Sequence, residues 1–283
     1  MTAIACDRVS IGVGGRTILS DVSFAIAPGE FVGVLGANGS GKTTLMRAIL
    51  GVAPTSGGAI RVFGEPVRRG NPAIGYAPQG RSPVLHGRIS GWDFVASVAN
   101  GHRWGLPWRG PAERADVERA LHLVGAAELA RRAIADMSGG ERQRLLIAQA
   151  LVGSPRLLLL DEPLISLDPR HQQAVIDMVR DIGRTLRLTV LFSAHEINPL
   201  LGALDRVLYL GGTHAAIGSV DEVISGPVLS RLYDAEIEVI RLHGRIFVMS
   251  AGHDLEHDAH RHDAHGHDGH DAHAHDAHAH DAP

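Results

Sequence analysis

The sequence predicts an α/β fold, with a parallel sheet covered by helices and an antiparallel β layer at the N-terminus. Residues 30–50 read as a strand, a Gly-rich loop and a helix, and residues 156–193 read as strand, helix and strand. Parallel strands joined by a crossover helix are buried on both faces, which predicts cover on each side of the sheet. In residues 3–35 short apolar runs alternate with Gly-rich turns, a pattern typical of antiparallel strands.

The first half of the chain contains the elements around the Gly-rich loop. The run 30–35 is apolar and rich in β-branched residues, which favours a strand, and residues 44–50 place apolar side chains at helical spacing. The β pattern breaks at 78–81. From there we expect a helical subdomain at about 89–151, interrupted by an irregular insertion at 105–111.

The second half of the chain returns to strand character. The predicted elements are a strand at 156–161, an amphipathic helix at about 170–184 and strands at 188–193, 205–210 and 237–250. These elements complete a domain that we expect to span residues 1–252.

Residues 253–283 form a low-complexity tail of repeated His, Asp and Ala residues, which holds 11 of the 18 histidines. The tail has almost nothing to bury, so we expect it to be disordered when metal-free.

Composition excludes several classes of protein. The single cysteine, Cys6, excludes an intramolecular disulfide and a cysteine-based zinc site. Positive charge is spread along the chain, which gives no case for nucleic acid as a partner. No run approaches the roughly 18 apolar residues of a membrane span, and Asp7 and Arg8 stand where a signal peptide would be apolar. We therefore expect a cytoplasmic chain, unless a partner holds it at a membrane.

The Gly-rich loop at 36–44 fits the phosphate-binding pattern Gly-x4-Gly-Lys-Ser/Thr at every fixed position. Glycines allow positive φ, so that backbone N–H groups can turn toward an anion at a helix N-terminus. Lys42 would reach the β- and γ-phosphates, Thr43 would offer its hydroxyl to Mg²⁺, and Thr44 would touch the α-phosphate. The alternative is a glycine turn before an ordinary helix. The candidate binding residues are Gly36, Asn38, Gly39, Ser40, Gly41, Lys42, Thr43 and Thr44.

Two carboxylates follow the strand at 156–161. Strand ends are where a parallel sheet binds its ligand, so Asp161 would hold Mg²⁺ through water and Glu162 would polarise the attacking water. Two acids after an apolar strand also occur in plain turns, and only the phosphate-binding loop favours the catalytic interpretation.

These motifs resemble those of the ATP-binding cassette (ABC) ATPases that power membrane transporters. The resemblance covers about residues 3–250 and includes, in the family's order, GANGSGKT at 36–43, Gln79, MSGGE at 137–141, LLLLDEP at 157–163, Ser166-Leu167-Asp168 and His195. It implies a P-loop NTPase fold with a RecA-like parallel-sheet core, an N-terminal antiparallel β layer and a helical ABC subdomain. It also implies ATP and Mg²⁺ as ligands.

The resemblance assigns roles that the residues alone do not. Ser138, Gly139 and Gly140 would cap the γ-phosphate held by a second copy, so the chain would act as a homodimer. Gln79 would sense the γ-phosphate or Mg²⁺, Asp168 would contact the other copy, and His195 would hold the γ-phosphate and attacking water. The resemblance further implies docking on an integral membrane permease, which would make the chain peripheral on the cytoplasmic face of the cell (inner) membrane.

Three positions depart from the family pattern. Glu141 places an acid where glutamine is usual, and we expect its side chain to point away from the phosphate. Val13 stands where an adenine-stacking aromatic is common, and Ile165 replaces a small residue in the dimer-contact loop. Val13 would contact adenine without a π face.

Two regions suggest the cargo. Residues 74–82, 93–95, 103–105 and 240–248 resemble the zinc and manganese import branch of the family. The tail histidines could bind Zn²⁺, Ni²⁺, Co²⁺ or Cu²⁺, whereas Mn²⁺ competes weakly for imidazole, which favours zinc. The candidate ligands are His257, His260, His262, His265, His267, His270, His273, His275, His278 and His280. A nonfunctional extension or a cloning artefact remains the alternative.

The sequence leaves several functions open. The leading hypothesis is the ATPase subunit of a zinc importer that works with a permease and an extracytoplasmic metal-binding protein. Import of manganese, nickel or cobalt is the first alternative. A soluble ABC ATPase without a transport role and a metal buffer built on the tail are the others.

Overall fold

The structure is a computed structural model that describes residues 2–79, 89–98 and 110–250. In chain order its strands are β1 (Ile4–Val13), β2 (Arg16–Ile26), β3 (Phe31–Leu35), β4 (Gly57–Val62), β5 (Glu65–Pro66), β6 (Ile74–Ala77), β7 (Leu157–Leu160), β8 (Thr189–Ser193), β9 (Arg206–Gly211), β10 (His214–Gly218), β11 (Ile237–Leu242) and β12 (Arg245–Ser250). Its α-helices are α1 (Lys42–Ile49), α2 (Gly91–Ala96), α3 (Pro111–Leu123), α4 (Gly139–Leu151), α5 (Pro169–Leu186), α6 (Val220–Val223) and α7 (Gly226–Tyr233), with short 3₁₀ helices at Ala127–Arg131, Ile134–Asp136 and Asn198–Leu200.

The central sheet has the strand order β10-β9-β3-β8-β7-β6 within the described residues. Its strands run parallel, except that the edge strand β10 is antiparallel to β9. Strand β8 therefore lies between β3, which precedes the Gly-rich loop, and β7, which precedes Asp161. This order brings the carboxyl ends of three functional strands to one edge of the sheet, which confirms the predicted parallel core.

Strand β7 shows why these runs are apolar throughout. Side chains alternate between the two faces of a strand, so a strand covered on both sides needs apolar residues at every position. Leu158 and Leu160 pack in the core that contains the helical subdomain and α5. Leu157 and Leu159 pack in a second core with α1 and the antiparallel layer.

The antiparallel layer has the order β2-β1-β4-β5 in the described part of the chain. Strands β1 and β2 are joined through Gly14 and Gly15, which both have positive φ, as a tight turn requires. The predicted N-terminal layer is therefore confirmed for β1 and β2. The run 31–35 belongs instead to the central sheet, because β3 pairs in parallel with β8 and β9.

Helices α2, α3 and α4 lie within the predicted subdomain at about 89–151 and share one apolar core. Helix α3 contributes Val117 and Leu121 to it, and α4 contributes Leu145. Residues 80–88 and 99–109 lie outside the described ranges, and with them most of the predicted insertion at 105–111 and parts of the zinc-branch resemblance. The boundaries of the subdomain remain a prediction.

Strands β11 and β12 form a separate antiparallel hairpin at the end of the described chain. Asn198 binds this hairpin with both ends of its side-chain amide. Its Nδ2 donates to the Ile246 carbonyl at 2.9 Å, and its Oδ1 accepts from the Ile246 N–H at 2.8 Å. The hairpin is thereby fastened to the segment that follows β8.

The tail at 253–283, with all of its candidate histidine ligands, lies outside the described residues. The division into residues 1–252 and a tail thus stays a prediction. Across the residues that are described, none of the helices has the length and apolar character needed to cross a membrane.

Cys6 provides a probe of folding, because it is the single thiol in the sequence and is buried in β1. Burial raises the pKa of the Cys6 thiol to about 12. At pH 8 this lowers the thiolate fraction by about 10³-fold relative to a free cysteine. We expect Ellman's reagent to react slowly with the native protein and rapidly in denaturant, measured by absorbance. Fast labelling of the native protein would contradict the burial of β1.

Candidate functional site

The Gly-rich loop joins β3 to α1 and has the backbone that its glycines predict. Gly36, Gly39 and Gly41 have φ of 140°, 79° and 101°, all in the positive range. A Cβ at Gly36 would lie 2.2 Å from the Leu210 carbonyl oxygen, so no other residue fits there. Gly41 is the N-cap of α1 and supplies no side-chain cap. The first N–H groups of α1 are therefore left without the side-chain acceptor that a Ser or Asp cap provides.

Lys42 is almost fully buried, with 4% of its surface exposed, and its ammonium group lies against the start of the same loop. Its Nζ donates to the Gly36 carbonyl at 2.7 Å and to the Ala37 carbonyl at 3.2 Å. Glu162 Oε1 lies 3.8 Å from the same nitrogen. Burial lowers the pKa of the Lys42 ammonium, and the carboxylates of Glu162 and Asp161 offset part of this shift.

Ser40 gives a direct indication that the loop is built for a ligand. Its Oγ is buried, and no residue in the described ranges forms a hydrogen bond with it. Buried hydroxyl groups in folded proteins have partners as a rule. An anion in the loop would supply that partner, so the loop fits a phosphate.

Asp161 accepts hydrogen bonds from three hydroxyl groups at the carboxyl edge of the sheet. Thr43 Oγ1 donates to Oδ1 at 3.1 Å, Ser193 Oγ donates to Oδ1 at 3.0 Å, and Tyr76 Oη donates to Oδ2 at 3.3 Å. Burial and the Asp161 charge raise the pKa of Tyr76 to about 12, which keeps that phenol protonated as a donor. Asp161 itself is 1% exposed.

Glu162 lies at the centre of a second set of contacts. Its Oε2 accepts from Gln79 Nε2 and lies 2.8 Å from His195 Nε2. Burial by itself would raise the pKa of the Glu162 carboxyl, but His195 and Lys42 outweigh burial and hold the pKa below its usual value. Glu162 is therefore ionised at neutral pH and can accept a hydrogen bond from water.

The oxygen atoms around Thr43 fit a magnesium ion. Mg²⁺ prefers hard oxygen ligands and usually binds through a carboxylate, water and substrate phosphates. Thr43 Oγ1 lies 3.1 Å from Asp161 Oδ1 and 3.4 Å from Gln79 Oε1, which puts a hydroxyl, a carboxylate and an amide oxygen together. Thr43, Gln79 and Asp161, the three candidates from the sequence, thus lie in one place.

Other candidate residues lie elsewhere in the chain. Ser138 is the N-cap of α4, and Gly139 and Gly140 form the first turn of that helix. Asp168 is the N-cap of α5 and pairs with His171, whose hydrogen bonds lower the pKa of the Asp168 carboxyl. Within the described ranges, no hydrogen bond or ion pair joins these residues to Lys42 or Glu162. Val13 is 55% exposed at the end of β1.

Glu141 folds its side chain back onto the N-terminus of α4, while the expectation that this side chain points away from the phosphate stays a prediction. Its Oε2 accepts from the Ser138 N–H at 2.7 Å, and the Ser138 hydroxyl accepts from the Glu141 N–H at 3.3 Å. This reciprocal capping box stabilises the N-terminus of α4. Arg132 also pairs with the carboxylate. The Ser138 backbone N–H and Arg132 lower the pKa of Glu141, so the acid that departs from the family pattern is matched by a cation.

Sequence reasoning missed Ser193, Tyr76 and Arg132. The signal for Ser193 was available, because it is the polar residue that ends the apolar run at 188–193, just as Asp161 ends the neighbouring run. Arg132 has no comparable signal, since its partner Glu141 is nine residues away, beyond a short 3₁₀ helix and the turn before α4.

Comparison with known proteins shows the family to which this chain belongs. The ABC transporter family matches residues 19–165. The zinc import ATP-binding protein ZnuC 2 of Hahella chejuensis is 37% identical over 86% of this chain and 94% of its own length. The hemin import ATP-binding protein HmuV of Bordetella avium is 34% identical over 85% of this chain and 95% of its own length. Among solved structures, a metal-chelate type ABC transporter in an inward-facing conformation has a TM-score of 0.74, with 24% identity, over 88% of this chain and 97% of that one.

Proposed function

Because this chain belongs to the ABC transporter family, we propose that it is the ATP-hydrolysing subunit of a transporter that imports zinc. The observation that carries the proposal is the continuous set of contacts at the edge of the central sheet. It joins Lys42 and Thr43 on α1 to Asp161 and Glu162 after β7 and to His195 after β8. Phosphate-binding and water-activating groups meet there.

In this proposal the phosphate-binding loop holds the triphosphate. Backbone N–H groups at the start of α1 and the Ser40 hydroxyl bind phosphate oxygens, and Lys42 turns from the Gly36 carbonyl to the β- and γ-phosphates. Thr43, Gln79 and, through water, Asp161 would hold Mg²⁺, whose charge would offset the negative charge that develops during phosphoryl transfer. Val13 contacts adenine through apolar surface.

Glu162 and His195 prepare the water that attacks the γ-phosphate. Glu162 is ionised, so it accepts a hydrogen bond from water and increases the electron density on the water oxygen. His195 donates to Glu162 at 2.8 Å and fixes the direction of the carboxylate. Gln79 contacts the same carboxylate and Thr43, so it links the metal side of the site to the water side.

The complete site needs a second copy of the chain. Ser138, Gly139 and Gly140 form the start of a capped helix, a geometry suited to an anion, yet in one chain they do not join the phosphate cluster. We assign them to the γ-phosphate of the other copy, with Asp168 at the contact between copies. The dimer docks on an integral membrane permease at the cytoplasmic face of the membrane, and an extracytoplasmic metal-binding protein delivers the metal.

Zinc is the cargo that relatives and tail support together. Several relatives are named as zinc import proteins, at 32–37% identity. In the described ranges, no group of three His, Cys, Asp or Glu side chains is placed to hold a metal ion. The candidate zinc ligands of this chain are the histidines of the tail at 253–283, and they are proposed from the sequence alone.

Disruption of this chain in its host tests the cargo. We expect lower zinc accumulation and greater sensitivity to a zinc chelator, and added zinc should restore growth while manganese, nickel, cobalt or hemin should not. Recovery with one of those instead would assign that cargo.

Copurification with an integral membrane protein separates a transporter subunit from a soluble ABC ATPase.

The tail should bind Zn²⁺ at about pH 7.5 and lose it below about pH 6, because protons compete for imidazoles with a reference pKa of about 6.5. Calorimetry on the full chain and on a chain ending at Ser250 measures this difference. Both should hydrolyse ATP at similar rates. Equal zinc binding by the two chains would exclude the tail as ligand, and loss of hydrolysis in the shorter chain would favour the tail as the main functional element.

A further inference from the structure

Ser193 ends β8 at the centre of the carboxyl edge of the sheet. It pairs with Val34 of β3 on one side, and β7, which leads to Asp161, lies on the other. The residue is fully buried, with 0% of its surface exposed. A hydroxyl group buried at this position must form its hydrogen bonds within the protein. Its partners therefore indicate which groups the Ser193 side chain holds in place.

The Ser193 hydroxyl bridges the two acids that follow β7. Its Oγ accepts from the backbone N–H of Glu162 at 2.7 Å and donates to Asp161 Oδ1 at 3.0 Å. A serine hydroxyl has one hydrogen, so donation to Asp161 leaves the lone pairs to accept from Glu162. One side chain thus satisfies a backbone donor and a carboxylate at the same time.

Glu162 needs this support, because its backbone has a φ of 50°. Residues other than glycine adopt positive φ at an energetic cost, and such conformations persist only where the surroundings hold them. Ser193 holds the N–H of Glu162. His195, two residues after Ser193, holds the side chain of Glu162, because its Nε2 lies 2.8 Å from Glu162 Oε2. The end of β8 therefore fixes Glu162 at both its backbone and its carboxylate.

We propose that Ser193 is a positioning residue for ATP hydrolysis, which sets the backbone of Glu162 and the orientation of Asp161 together. This proposal rests on the roles proposed above for those two acids. Ser193 lies outside the phosphate-binding loop, and its hydroxyl bonds to Glu162 and Asp161 rather than to Lys42. Its loss should therefore affect the rate of hydrolysis and the binding of the metal more than the binding of nucleotide.

Ser193→Ala tests the proposal, because it removes both hydrogen bonds and leaves the Glu162 N–H unpaired. We expect kcat to fall by up to about 10²-fold, the loss that a misplacement of about 1 Å can cause, with KM for ATP nearly unchanged. Mn²⁺ in place of Mg²⁺ gives a second readout, since electron paramagnetic resonance measures its binding in the presence of ADP without hydrolysis. Ser193→Ala should bind Mn²⁺ more weakly than the native chain.

Thr189→Val is the matched control. Thr189 lies on the same strand, is 1% exposed, and its hydroxyl accepts from the Gly29 N–H at 2.9 Å, away from the acids. It should lower the unfolding temperature without changing kcat or Mn²⁺ binding. Ser193→Cys keeps a group of similar shape that is a weaker hydrogen-bonding partner, and should give intermediate values.

The outcomes separate this proposal from the proposed function. Native kcat and Mn²⁺ binding in Ser193→Ala would overturn the positioning role, and so would equal losses in Thr189→Val, which would indicate a general effect on stability. If the native chain hydrolysed no ATP, the proposed function would fail, and the Mn²⁺ measurement would still decide the role of Ser193.

Discussion

Glu162→Gln is expected to lower the rate of ATP hydrolysis by about 10²- to 10⁴-fold, the usual contribution of a general base. The substitution removes the negative charge that accepts a hydrogen bond from water. It keeps the size of the side chain, and the amide oxygen can still accept from His195. Lys42 and the phosphate-binding loop are unchanged, so ATP should bind as before. ATP bound without turnover should hold the dimer closed, visible as a dimer in gel filtration with MgATP.

Glu196→Gln provides the control, because Glu196 is an exposed acid beside His195. It should hydrolyse ATP at the native rate and should not accumulate as a dimer. Hydrolysis at the native rate in Glu162→Gln would remove Glu162 from its proposed role. Loss of ATP binding in that variant would instead mean that the carboxylate supports the loop through Lys42.

Lys42→Ala is expected to have the largest effect on nucleotide binding. Hydrogen bonds to charged groups contribute about 1.5–3 kcal/mol, so losing the ammonium should raise the Kd for ATP about 10- to 150-fold. Equilibrium binding of a fluorescent ATP analogue measures the change. Lys42→Arg is the matched variant that keeps the charge while changing its shape.

Lys42 is also the single lysine in the sequence, which makes its environment directly observable. Lysine labelled with ¹⁵N would give one side-chain signal in nuclear magnetic resonance, and MgATP should shift it as the ammonium leaves the Gly36 and Ala37 carbonyls. An unchanged signal at saturating MgATP, or native affinity in Lys42→Ala, would exclude contact between Lys42 and the phosphates.

The fold could be predicted to the extent that it depends on local pattern. The Gly-rich loop and the leucine run at 157–160 mark a strand followed by a helix and a strand buried on both faces. The order of strands could not be predicted in the same way. Nothing in the run 188–193 says that β8 lies between β3 and β7, because that placement is decided by packing between distant segments.

The residues of the candidate site also fall into those that a local sequence pattern predicts and those that only the tertiary structure brings together. Lys42, Thr43, Asp161 and Glu162 stand in short motifs with fixed spacing, and the structure brings them together. Ser193 and Tyr76 join them only through the neighbouring strands, so their contacts depend on tertiary structure. The capping role of Glu141 was open to prediction, since Ser138 precedes it by three residues, but its pairing with Arg132 was not.

The paired hydrogen bonds between Asn198 and Ile246 connect the C-terminal hairpin to the catalytic edge of the sheet. Asn198 is three residues after His195, and Ile246 lies in the last described strand. These two hydrogen bonds therefore link the last described strand directly to the segment that contacts Glu162. A chain shortened to Ser250 keeps this link, whereas removal of β12 would leave the Asn198 amide without these two partners and the segment held by the buried side chains of Ile197 and Leu200.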